Sequence, residues 1–367
     1  KEIDSARIEK LDEVLVKAIR VEASSPITHS NVSKAELATR NLGQDLPILL
    51  NYLPSVVTTS DAGAGIGYTG IRVRGVSAQS TNITINGIPY NDAESLGTFW
   101  VDLPDFASSV ESLQLQRGVG TSTNGSGAFG ASINILTDAI SKDSQAEISN
   151  TFGSYNTLKH NLKFSTGLLG SNIEISGRLS QIKSDGYIDR AASDLKSYFL
   201  QGAYTDDNTL IKMLVFGGHE ITYQAWNGID AETLKNNRTF NPSGIYTDDD
   251  GTINFHENEV DNYKQDHYQL HWNQKINNYW SARIGLNYTY GRGYFEQYKE
   301  NQSFSDYDLN DLIIGDTTIN ETDLIRRRWL DNRFYVVTTS ISHTKKDLTM
   351  SIGSSLSLYD GDHFGEI

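Results

Sequence analysis

Residues 71–92, IRVRGVSAQSTNITINGIPYND, decide how the rest of the chain is read. They spell strand, turn, strand, turn. Ile71, Val73 and Gly75 alternate with Arg72, Arg74 and Val76, the period of a pleated ribbon with one wet face. Residues 77–81 make a polar turn, after which Ile83 and Ile85 alternate with Thr84 and Asn86. Asn86-Gly87 closes a tight turn because both residue types tolerate positive φ, and Pro89 fixes the exit. Arg72 and Arg74 fall on one face, and such a pair needs carboxylates or water opposite it.

This stretch resembles the core motif of the plug domain of TonB-dependent outer-membrane receptors, in which an R-G strand precedes a strand ending in a (D/N)G(V/I)P turn. Residues 113–137, LQLQRGVGTSTNGSGAFGASINILT, resemble the closing plug motif of that family. Arg117-Gly118, Gly127, Gly130 and Ile133-Asn134-Ile135 match it, whereas Val119 stands where the family often has Pro and Ala131 where it often has Gly. Two ordered blocks at this separation are far more specific than either alone.

Composition sets outer bounds. The chain has 367 residues, no Cys, 6 Pro, 31 Gly and 19 Tyr, with net charge −15. The absence of Cys excludes thiol catalysis, cysteine zinc sites and disulfides. The acidic balance argues against nucleic-acid binding. No run of 18 apolar residues is present, so no transmembrane helix is expected. The chain starts at Lys1 without a secretory signal, as a mature or trimmed chain does. High Tyr, Gly, Asn and Thr suit a membrane β-barrel, in which only alternate residues face lipid, and suit a soluble all-β protein equally.

Along the chain, residues 1–20 read as a flexible N-terminus, 21–140 as a plug domain and 145–367 as the first part of a barrel. Residues 32–57 carry a helical pattern: Ser33 with Glu36 makes a capping box, Leu46, Leu49, Leu50 and Leu53 recur at helical spacing, and Pro54 stops it. Two GxGxxG matches, at Gly65-Gly67-Gly70 and Gly125-Gly127-Gly130, precede strand-like residues rather than a helix. They are rejected as dinucleotide sites and read as tight turns where the plug approaches an enclosing wall.

From Ala146 onward, period-two strands of ten residues or more repeat, about nine in all. The clearest sets Trp280, Ala282, Ile284, Leu286, Tyr288 and Tyr290 against Ser281, Arg283, Gly285, Asn287 and Thr289. Short polar turns alternate with long connections at 183–196, 224–262 and 298–326, as in an outer-membrane barrel. The expected fold is therefore mostly β: an antiparallel transmembrane barrel, incomplete in this chain, preceded by a small α+β plug. Barrels of the resembled family have 22 strands, and open edges are not tolerated in lipid. Either the polypeptide continues past Ile367 or further strands lie outside this sequence.

The resemblance implies an active transporter of the Gram-negative outer membrane, not an enzyme. Its partners would be a TonB-type energy-coupling protein, outer-membrane lipid and a small-molecule or metal-chelate substrate, with a surface lipoprotein as a further option. Asp12, Glu13, Val14, Leu15, Val16, Lys17 and Ala18 (DEVLVKA) resemble the TonB box; otherwise they form an edge strand of the plug. Arg72, Arg74 and Arg117 are candidates for plug–wall salt bridges, or else belong to a hydrated strand face. The apical ligand candidates are Tyr68, Asp92, Glu94, Phe99 and Trp100 in the plug, with Tyr223, Trp226 and His256 in the first long loop. Aromatics there can stack on a sugar, a catechol or a macrocycle, or simply pack the loops. Ferric siderophore is the first substrate choice, with haem and cobalamin behind. Only about ten residues precede the box, which disfavours glycan importers, with their extra N-terminal domain, unless the N-terminus was trimmed. No metal site, cofactor or catalytic motif is expected: the histidines lack ligand spacing, and Asp248-Asp249-Asp250-Gly251 lacks the pattern of a calcium loop. A non-transport surface barrel, an adhesin, would explain the strands but not the plug motifs.

Overall fold

A computed structural model describes residues 20–21, 25–119, 127–346 and 348–367. The first body of structure is built around the quoted stretch. Its strands are β1 (His29–Ser33), β2 (Val56–Ser60), β3 (Thr69–Val73), β4 (Thr81–Ile85), β5 (Ile88–Pro89), β6 (Val110–Arg117) and β7 (Ala131–Thr137). Five of them form one sheet in the order β1-β6-β7-β4-β5, in which only β4 and β7 run parallel. Helix α1 (Lys34–Arg40) starts with the expected reciprocal capping box, Ser33 accepting from the Glu36 backbone while Glu36 accepts from that of Ser33. Helix α2 (Leu46–Leu49) is a single turn with Pro47 in its first turn. It is shorter than the leucine pattern suggests, yet Leu46, Leu49, Leu50 and Leu53 are all buried.

The central turn forms as read: Asn86 (φ 50°) and Gly87 (φ 74°) join β4 to β5. Two details differ. Strand β3 pairs with β2, not with the next strand, and it ends at Val73 because Arg74 adopts positive φ (55°). Arg72 and Arg74 therefore do not continue as one strand face.

The second body is a nine-stranded antiparallel meander. Its strands are β8 (Gln145–Gly153), β9 (Thr157–Ser165), β10 (Ile173–Ser184), β11 (Ser193–Thr205), β12 (Thr209–Tyr223), β15 (Val260–Lys275), β16 (Trp280–Ser303), β19 (Glu321–Lys345) and β20 (Leu348–Glu366). Two small hairpins, β13 (Ile245–Thr247) with β14 (Ile253–Phe255) and β17 (Leu312–Ile314) with β18 (Thr317–Ile319), sit in the long connections. The sheet's outer strands are β8 and β20.

The wall is inside out relative to a soluble sheet. On β10, Ile173, Ile175 and Leu179 are 42–60% exposed, while Glu174 and Arg178 are only 1% and 2% exposed. The polar face looks onto the plug and the apolar face looks outward, the alternation a lipid-facing wall requires. Tyrosines pair across the outward face: Tyr268 and Tyr335 flank Tyr288, with ring centroids 5.9 and 5.0 Å away. Plug and wall share one apolar core. Phe106 of the plug lies 5.4 Å from Phe216 of the wall, and Phe199 and Leu214 join the same buried cluster.

Candidate functional site

Two arrangements between plug and wall carry chemistry: a charged clamp and an acidic, aromatic cavity. The clamp centres on Asp105, which follows Pro104 with positive φ (51°), a conformation aspartate tolerates better than most residues. The Lys159 ammonium from β9 lies 2.6 Å from one carboxylate oxygen, and Arg178 from β10 lies 3.3 Å from the other. Asn161 and Ser180, also on the wall, donate to that second oxygen at 2.6 and 2.7 Å. Arg178 additionally donates to the Asp105 carbonyl (2.8 Å) and to Ser109 Oγ (2.9 Å). Burial alone would raise the Asp105 carboxyl, but Arg178 and Lys159 outweigh it and hold it well below the usual carboxylate range. A second plug carboxylate, Asp138, pairs with Lys163 of the wall at 2.7 Å.

The polarity is the reverse of that expected from sequence: the plug supplies carboxylates and the wall supplies cations. Arg72 and Arg74 are exposed, and no ion pair joins either to the wall among the described residues. Arg117 is buried but turns inward, donating to the Pro54 carbonyl and to Ser30 Oγ, both at 2.9 Å and both in the plug. The arginines that do bridge come from the wall: Arg178 at the clamp, and Arg283 of β16, which donates to the Asn86 carbonyl at 2.5 Å. Close approach by glycine is found where proposed: a side chain on Gly67 would meet Ser193 Oγ at 2.9 Å.

The cavity, of about 220 Å³, lies between the plug apex and the wall. Of the plug residues proposed as ligand candidates, Tyr68, Asp92, Glu94 and Phe99 line it. Trp100 does not; it is 3% exposed within the plug core. Trp226 stands just behind, edge-on to Tyr68 with centroids 5.1 Å apart. Tyr223 and His256 serve the loop instead. Tyr223 donates to the His256 carbonyl at 2.8 Å, and the His256 imidazole contacts Glu296 at 2.9 Å. The aspartate run is a polar turn, Asp248 accepting from the Asp250 and Thr252 backbones.

Sequence reading missed Tyr90, Asp102, Glu220, Asp261, Tyr263 and Phe295, all of which line the cavity. The Tyr68 hydroxyl donates to Asp261 and approaches Glu220 at 3.5 Å. Burial, with Asp261 and Asp92 nearby, pushes the Asp102 carboxyl well above its usual range. Burial likewise raises the phenols of Tyr68 and Tyr90. Among the described residues no cluster of His and carboxylates has metal-binding geometry.

Comparison with known proteins agrees with this geometry. The TonB-dependent receptor plug domain family matches residues 21–132. Vitamin B12 transporter BtuB of Vibrio vulnificus is 31% identical over 189 residues, covering 50% of this chain and 30% of that protein. A probable TonB-dependent siderophore receptor, PirA of Acinetobacter baumannii, is 24% identical over 149 residues, 38% of this chain and 20% of that one. Among solved structures, BauA, the ferric preacinetobactin receptor of Acinetobacter baumannii, superposes with a TM-score of 0.67 at 9% identity, over 93% of this chain and 48% of its own. The unliganded ferric citrate transporter FecA gives 0.66 at 14% identity, over 92% and 48%. These structural likenesses establish the fold, and the chain spans under half the length of either neighbour.

The fold is a plug seated on the polar face of a β-wall whose apolar face looks outward. Residues 21–132 carry the plug domain of the TonB-dependent receptors, and the chain as a whole resembles these proteins of the Gram-negative outer membrane in fold.

Proposed function

We propose that the protein is an active importer of a scarce nutrient, a ferric siderophore or similar iron complex, energised through a TonB-type coupling protein that grips residues 12–18. That segment lies outside the described residues, but the residues just after it carry the reading. The Arg20 guanidinium donates to the carbonyls of Ser112 and Asn134, both at 2.8 Å. Val21 exchanges two hydrogen bonds with the buried Gln114 side chain, at 2.9 and 3.0 Å. A pull on the N-terminus is thus delivered directly to β6 and β7, the middle of the plug sheet. The outer membrane holds no ATP, so mechanical work from another membrane is the available energy source. Ligand would enter the cavity at the plug apex, and the Asp105 clamp would hold the plug until it is loaded.

The test is accumulation of radioiron by whole cells offered ferric chelates. Uptake that depends on the receptor and collapses with the proton gradient supports the reading. Binding without any uptake points instead to an adhesin or a passive surface barrel. A second reading, cobalamin import, follows from the relative named as a vitamin B12 transporter, and labelled cobalamin in the same assay decides between them.

A further inference from the structure

We infer that the cavity is built for a cationic ligand, a metal chelate that presents an ammonium or comparable group to Asp102. The inference rests on the importer reading and narrows its substrate by charge.

The lining is one-sided. Asp92, Glu94, Asp102, Glu220 and Asp261 all face the cavity, and no Lys or Arg lines it among the described residues. Asp102 is the informative member. It is only 7% exposed, yet its carboxylate has no hydrogen-bond or ion-pair partner among the described residues. Its acidic neighbours are provided for: Glu220 accepts from the Thr222 hydroxyl at 3.2 Å, and Asp261 accepts from Tyr68. A largely buried acid without a partner must hold its proton or remain uncompensated, and a cation arriving in the cavity would relieve either condition. What lies in front of Asp102 is the cavity itself.

The walls suit the same occupant. Tyr90, Tyr263, Tyr294 and Phe295 line the cavity alongside the carboxylates, and aromatic faces attract cations through their quadrupoles. Among the described residues, an anionic catecholate or citrate complex would meet carboxylates with no Lys or Arg beside them, a mismatch that disfavours binding. A cation gains from both features.

The test uses the purified full-length receptor in detergent and its intrinsic tryptophan fluorescence, with Trp226 standing against cavity-lining Tyr68. The probes are ferrioxamine B, which carries a pendant ammonium, and its N-acetyl derivative, in which that ammonium is capped as a neutral amide. Ferric enterobactin supplies a strongly anionic complex and cyanocobalamin a neutral one. Ferrioxamine B is expected to bind saturably, and acetylation to weaken binding by about tenfold or more, the scale of one charge-assisted hydrogen bond. Asp102→Asn is expected to abolish that difference without shifting the melting temperature. Equal binding of the matched pair to the native receptor overturns the inference. So does tighter binding of ferric enterobactin or cyanocobalamin, although either result leaves the importer reading in place. If no complex binds, both fail together.

Discussion

Lys159 of the wall and Asp105 of the plug meet at 2.6 Å with side chains only 4% and 0% exposed. Such a pair is a poor source of net stability, because desolvation offsets most of the attraction. It is an effective latch, because losing one partner strands the other in a dry site. Under the proposed importer reading, that asymmetry would keep the plug seated until it is loaded.

Asp105→Ala should therefore loosen plug docking by about 3–5 kcal/mol, since it leaves both Lys159 and Arg178 uncompensated. Hydrogen exchange of the β6 and β7 amides in the intact receptor reads this directly. Lys159→Met should cost less, because Arg178 still faces Asp105. Native-like protection in Asp105→Ala would show that the latch carries no load.

Acid should release the same latch. The Asp105 carboxyl titrates below its unfolded value of about 3.9, so the clamp's stabilisation is complete above that pH. It is lost progressively as pH falls through the depressed folded value. Exchange protection of the plug should hold from neutrality down to about pH 4 and then decline, and Asp105→Asn should flatten that decline. A decline centred near neutrality would assign the release to another group.

Gly87 is needed for two reasons at once. Its φ is 74°, and a Cβ there would lie 2.5 Å from a guanidinium nitrogen of Arg283. Gly87→Ala should destabilise the receptor by about 1–2 kcal/mol from backbone strain alone, with a further loss from displacing Arg283. Gly202→Ala, where a Cβ would meet nothing within 4 Å, is the control and should stay within about 0.5 kcal/mol. Equal thermal shifts for the two variants would remove the steric explanation.

Phe99 and Trp100 are adjacent but have different jobs. Phe99 is 44% exposed at the cavity, whereas Trp100 is 3% exposed in the core. Trp100→Ala should cost about 3–5 kcal/mol of stability. Phe99→Ala should leave the melting temperature nearly unchanged and weaken ligand binding. The reverse pattern, with Phe99 governing melting and Trp100 governing binding, would overturn this placement.

The strands and the turn at Asn86-Gly87 were legible because period two and positive-φ residues are local signals. The Ser33–Glu36 cap was legible for the same reason. The partner of β3 was not, since pairing with β2 depends on where the chain returns. The arginines misled because a charge visible in sequence says nothing about what faces it: Arg72 found solvent, while the plug's true anchors, Asp105 and Asp138, look like ordinary loop acids. The cavity floor was hidden by distance. Asp102, Glu220 and Asp261 are far apart along the chain, and the two on the wall occupy alternate positions that any inward-facing polar residue could hold. The one available signal was acidic residues near the ends of the strands that run into the longest loop.

The most direct measurement is a paired assay on a receptor lacking residues 12–18: ligand binding to purified protein, and energised uptake in cells. Binding at native affinity with uptake abolished is the predicted result, since the segment precedes Arg20, where the proposed pull would enter the plug. Uptake at native rate without those residues would contradict energy transfer through them and, with it, the coupling of Arg20 to β6 and β7 as the working stroke.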